Sequence, residues 1–174
     1  MPLTAQELRA DLERALTSPD PVAAFHKEAE RFSDHMLEES TLSAEFFALL
    51  CELFSRPVFF QVKGAQDFLF EIIYQDIISP DQMNGLLSAM IASYSQYADE
   101  ELCWFVGDHI ARRYPPEVGL AALEEIAPHT TLPVQWSSVL LGLDILERHR
   151  GVSDATYQRR CKVLRSAVER AFGE

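Results

Sequence analysis

Carboxylates, histidines and cysteines are the side chains that could do chemistry in this chain, and their spacing decides which kind. Asp34, His35, Glu38 and Glu39 form the densest group. His35 and Glu39 are four apart, so on a helix they share a face and could hold a divalent ion between imidazole and carboxylate. The alternative is a solvated acidic helix end with an ordinary histidine, and it is the commoner role of such a run. No Glu-x-x-His, His-Glu-x-x-His or paired Cys-x-x-Cys occurs, so no metal ligand set is assigned. Cys103 lies six residues before His109, a spacing that does not place the two on one helix face. A packed core thiol is therefore expected there rather than a thiolate nucleophile. Asp108 and His109 are adjacent and project about 100° apart on a helix, which is wrong for a direct acid–base pair. His26, His129 and His149 are single and unpatterned.

Phosphate chemistry has no carrier. The seven glycines never reach a Gly-x-Gly-x-x-Gly spacing, and neither a Gly-x-x-x-x-Gly-Lys-Ser/Thr loop nor a Gly-x-Ser-x-Gly elbow is present. No catalytic residue and no cofactor follows from these patterns.

Two lines of polar and aromatic residues remain. Asp67, Glu71 and Gln75 recur every four residues on an otherwise apolar segment, and Glu100, Trp104 and Asp108 repeat that phase further on. Read functionally, they are an acidic groove with an aromatic anchor, Trp104 or Trp136, for a basic protein surface. The competing reading is that they are the solvated edges of two amphipathic helices.

Those residues need elements to position them, and helix signals run the length of the chain. Thr4 with Glu7 is a capping-box pattern ahead of Leu8, Leu12 and Leu16. Asp20-Pro21 opens a second helix with a stripe of Val22, Phe25, Ala29, Phe32 and Met36. Ser43, Ser79-Pro80 and Asp99 are further starts, while Pro116 and Pro133 open two more. Residues 56–66 read as a loop or one helical turn that turns its phenylalanines inward, with Gly64 marking a break. Residues 67–78 are apolar almost all round, which predicts a central helix. Gly151 is expected to end the helix from Pro133, and Ser153 to cap the last one, whose stripe is Tyr157, Cys161, Leu164, Val168 and Phe172. No strand alternation appears, so the expectation is an all-α chain of roughly nine helices in stacked antiparallel hairpins, a short solenoid or a compact helical bundle. It is read as one helical domain over 1–174.

Bulk properties bound the partners. Residues 1–100 carry 17 acidic and 6 basic side chains and residues 101–174 carry 10 and 9, giving a net charge of −12. Seven of the cations fall at Arg148, Arg150, Arg159, Arg160, Lys162, Arg165 and Arg170. An acidic body repels nucleic acid and attracts basic proteins, so the terminal helix is expected to cap the stack, present a polar outer face and pair with acidic neighbours. No stretch is long and apolar enough for a membrane span, and the first residues lack a basic, apolar signal core. Three widely separated cysteines do not make a disulfide framework. Together these predict a cytoplasmic protein without membrane or nucleic-acid partners.

The helix starts at Asp67, Glu100 and Pro133 recur about every 33 residues. In that register Phe70, Cys103 and Trp136 align, as do Ile73, Val106 and Val139, then Ile77, Ile110 and Leu143. The phrase, with second helices at Pro80, Pro116 and Ser153, resembles a degenerate HEAT-like repeat over residues 65–172, with 1–60 as a helical cap. That resemblance implies an α-solenoid that binds proteins through one face rather than catalysing a reaction. The small, acidic, helical character is also similar in type to bacterial toxin immunity proteins. The implied function is a binding module whose acidic face, built from Asp67, Glu71, Gln75, Glu100, Trp104, Asp108 and Trp136, occludes a basic toxin. Two alternatives stand beside it: an adaptor subunit using apolar surface around Phe59, Phe60 and Tyr97, and a metal-dependent enzyme using the acidic cluster.

Overall fold

The helices begin where side-chain oxygens can take up orphan backbone N–H groups. In the computed structural model, which describes residues 3–37, 41–62, 64–74, 77–148 and 154–173, Thr4 and Glu7 close a reciprocal capping box at the start of α1 (Ala5–Leu16). Asp20 accepts from the Ala23 N–H at 3.1 Å and opens α2 (Pro21–Met36), and Ser43 accepts from Phe46 to open α3 (Ala44–Phe54). After α4 (Ala65–Tyr74), Ser79 and Gln82 bond each other's backbone N–H at the head of α5 (Pro80–Ser93). Asp99 caps α6 (Glu100–Arg113), and prolines open α7 (Pro116–Ile126) and α8 (Pro133–Glu147) before the final α9 (Ala155–Gly173). Three short 3-10 segments, Pro57–Phe60, Tyr94–Gln96 and Ala127–His129, complete the regular structure, and among the described residues no strand forms. The chain is therefore all-α. Gly151 and Ser153, assigned above to helix ends, lie outside the described residues.

The chain divides into two units, residues 1–90 and 91–174. In the first, α1 packs on α2 and α3, and α2 packs on α4. Its core is aromatic: Phe32 meets Phe46 at 5.4 Å and Phe68 at 6.4 Å, while Phe25 lies 6.0 Å from Phe59 and 6.5 Å from Phe68. Such edge-to-face and tilted pairs add to the burial of the rings. The Pro57–Phe60 turn sends Phe59 fully inside, as predicted for that residue. Gly64 makes the break: its φ is +94°, and a Cβ there would lie 2.9 Å from the Cα of Val22. Val22 itself is exposed, unlike the other four members of its predicted stripe. Ion pairs Arg9–Glu52 and Arg56–Glu13 tie α1 to α3 and the turn beyond it.

In the second unit α6 and α8 make the closest helix pair. The approach depends on Gly107, where a Cβ would lie 2.4 Å from the Ser138 carbonyl oxygen. Across that contact the Ser138 hydroxyl donates to the Cys103 carbonyl. Cys103, Val106, Ile110, Val139 and Leu143, all members of the 33-residue register, are completely buried. Helix α9 packs on α8 and α7 and is held by its cations. Arg160 grips Glu124 with two bonds, 3.0 and 2.6 Å, and reaches Glu117 at 2.8 Å. Arg165 spans Asp144 at 2.6 Å and Glu147 at 2.9 Å. The expected pairing of the basic helix with acidic neighbours is thus present.

Candidate functional site

Glu100, Trp104 and Asp108 stand four residues apart on α6, so they follow one line along it. The inner face of that helix is committed to Leu102, Cys103, Val106, Gly107 and Ile110, which turns the line outward. Glu100 is exposed and Trp104 is 46% exposed, a large amphipathic ring left beside carboxylates. Asp108 is partly covered and accepts from Arg112 at 2.6 Å one turn on. The stripe is therefore acidic at its N-terminal end and neutralised at its C-terminal end.

Asp67 and Glu71 are exposed on neighbouring turns of α4, in the first unit, while Phe68, Leu69 and Ile73 fill the opposite face. Gln75, the third member of that line, lies outside the described residues. The α4 pair and the α6 line belong to different units. Each is an exposed helix edge.

Trp136 is placed differently. It is half-buried and lines an apolar groove of about 360 Å³ with Ala127, Pro128, Val163, Leu164 and Ala167. Glu124, Arg159 and Arg160 edge this groove. Its volume falls in the range of ordinary ligand clefts. Helix α8 thus turns Trp136 toward α9, apart from the outer line of α6.

The groove also corrects the reading of α9. Tyr157, Cys161, Leu164 and Val168 are buried as their spacing predicts, but Phe172 is 53% exposed because nothing among the described residues covers the last turn there. The outer face was expected to be polar, yet it carries Val163 at 64% exposure. An apolar residue at position 163, one place off the buried stripe, was the available signal in the sequence.

The remaining candidates are structural. Phe59 and Tyr97 are fully buried, so neither offers apolar docking surface; the side chain of Phe60 lies outside what is described. Burial pushes the Cys103 thiol up to about 12, and its Sγ donates to the Tyr97 carbonyl at 3.4 Å, the arrangement of a core thiol. His35 packs against Phe46 with 5.3 Å between ring centroids, and Glu38 and Glu39 lie outside the described residues. Among the described residues no three His, Cys, Asp or Glu side chains come together at a spacing that could hold a metal ion. Among the described residues no helix is long and apolar enough to cross a membrane.

Sequence reasoning missed two buried polar side chains of the second unit. Gln135 is completely buried, with its Nε2 donating to the carbonyls of Tyr97 at 2.8 Å and Ser95 at 3.1 Å and its Oε1 accepting from the Thr131 and Leu132 N–H groups. Its position three residues after Leu132, where a helix begins, was the legible signal. His109 is 4% exposed between Phe105 and Tyr114, with ring centroids at 5.4 and 5.8 Å, and its Nε2 has no partner. Burial, reinforced by Arg113 and opposed by Asp108, pulls its pKa down to about 4.

No family model, no curated protein and no solved structure matches this chain.

Proposed function

We propose that this chain is a protein-binding module that engages a basic partner through the outer stripe of α6. The observation that carries the reading is Trp104, 46% exposed and flanked on its own helix face by Glu100 and Asp108. Trp is enriched at binding hot spots, and the open carboxylate of Glu100 beside it would steer a basic surface into register. The net charge of −12 adds a long-range attraction of the same sign. Asp67 and Glu71, exposed on α4, extend the acidic surface of the first unit.

In its sharper form the module is an inhibitor, an immunity-type protein of the bacterial cytoplasm that blocks a basic toxin by covering its site. The HEAT-like reading fits this role. It is supported by the stacking of α6 on α8 and by the burial of Val106, Val139, Ile110 and Leu143 at equivalent places of the 33-residue phrase.

Photo-crosslinking tests the placement. Benzoylphenylalanine at position 104 should capture a protein of high isoelectric point in lysate of the source cells, with yield falling as salt rises from about 50 to 500 mM. The same group at Ala121, exposed on α7, is the control. Equal capture from both positions, or capture indifferent to salt, would remove the acidic stripe as the binding face.

A further inference from the structure

The groove along α9 has the shape and charge of a helix-docking site. Two rows of α9 residues border it, Arg159–Val163–Ala167 and Arg160–Leu164–Val168, each with four-residue spacing. From Arg159 to Val168 these rows span about 14 Å at 1.5 Å per residue. That length matches apolar anchors at i, i+4 and i+7 on a second helix. The opposite wall is Trp136 with Ala127 and Pro128, all apolar. Trp and Pro lose little conformational freedom when they are covered.

Charge selects the occupant. Arg160 is already neutralised by Glu124 and Glu117. Arg159 and Lys162, both exposed on α9, have no carboxylate partner among the described residues. Of these two only Arg159 lines the groove, so its edge keeps one unpaired cation in a chain that is strongly negative overall. We propose that this groove binds an acidic amphipathic helix of a partner protein, its apolar face against Trp136, Val163 and Leu164 and an Asp or Glu residue on Arg159. This surface is independent of the α6 stripe, and its occupant is of opposite charge.

The test is selection from a displayed library of helical peptides with randomised faces, followed by binding of the enriched peptides to the intact chain. Trp104→Phe leaves Trp136 as the only tryptophan, so a blue shift of its emission reports occupancy. Enriched peptides should carry apolar residues at i, i+4 and i+7 with flanking acids. Val163→Glu, a change at an exposed position, should weaken them by at least about tenfold. Arg159→Glu should weaken the acidic peptides while favouring their charge-reversed versions, and circular dichroism would verify that both variants remain helical. No enrichment, or peptides that bind Val163→Glu as well as the parent, would overturn the proposal. Self-association of the chain that Val163→Glu abolishes would also overturn it, in favour of a second copy as occupant. Crosslinking through position 104 is unaffected by any of these outcomes, so the two surfaces fail or stand separately.

Discussion

Gln135 and Tyr94 hold each other twice: the Tyr94 hydroxyl donates to the Gln135 carbonyl at 3.0 Å, and the Gln135 Nε2 approaches the Tyr94 carbonyl at 3.3 Å. Both residues are buried, and the amide of Gln135 also serves Ser95, Tyr97, Thr131 and Leu132. One side chain thus closes the start of α8 onto the 3-10 turn after α5. A buried polar group is costly only when its partners are missing.

Gln135→Leu keeps the volume and leaves that set of carbonyls and N–H groups without their partner. We expect a loss of about 3 kcal/mol or more in urea unfolding, against about 1 kcal/mol for Tyr94→Phe. The double variant should depart from additivity by more than about 0.5 kcal/mol, since both act on one segment. Additive losses would mean that the turn and the start of α8 are fixed by other contacts.

Gly107→Ala should be severe for a small change. The new methyl would lie 2.4 Å from the Ser138 carbonyl oxygen and 2.6 Å from its hydroxyl, and the first of these is backbone that cannot turn aside. Alanine ordinarily gains about 1 kcal/mol over glycine inside a helix. Here separation of α6 from α8 outweighs that gain, for a net loss of about 2 kcal/mol. A melting temperature at or above the parent's would contradict the close approach.

Phe68 stands between Phe25 and Phe32 in the first unit. Phe68→Ala should cost about 3–5 kcal/mol, from lost burial and the cavity left among the other rings. Calorimetry of the variant would also show whether the first unit melts apart from the second.

The pH dependence of stability should carry the mark of His109. Its pKa is about 4 in the folded chain against an ordinary 6.5. Below about 6.5 the unfolded chain takes up a proton that the folded chain refuses, so stability falls with pH through this window and the effect levels off below about 4. The whole contribution is up to about 3 kcal/mol. His109→Phe keeps a ring between Phe105 and Tyr114 and removes the unpartnered Nε2. The difference between parent and variant should therefore grow as pH falls from 7 to 4. A constant difference would show that His109 does not couple folding to protons.

Much of this protein was determined by short-range pattern. Thr4 with Glu7, Asp20 with Pro21, Ser43, Ser79 with Gln82, and Asp99 each mark a helix start, because a cap is settled between residues three apart. Stripes such as Phe25, Ala29, Phe32 and Met36 identify buried faces for the same local reason. Tertiary structure decided what no window of the chain contains. Trp104 and Trp136 are alike as residues, yet one lies on the outer line of α6 and the other in a groove walled by α9. Gln135 and Val163 reverse their usual places, the amide inside and the aliphatic chain in water. Helical phase states which residues share a face, but exposure is decided by what a distant helix lays over it. Here that depends on how closely Gly107 lets α6 approach α8 and on where Arg160 and Arg165 pin α9.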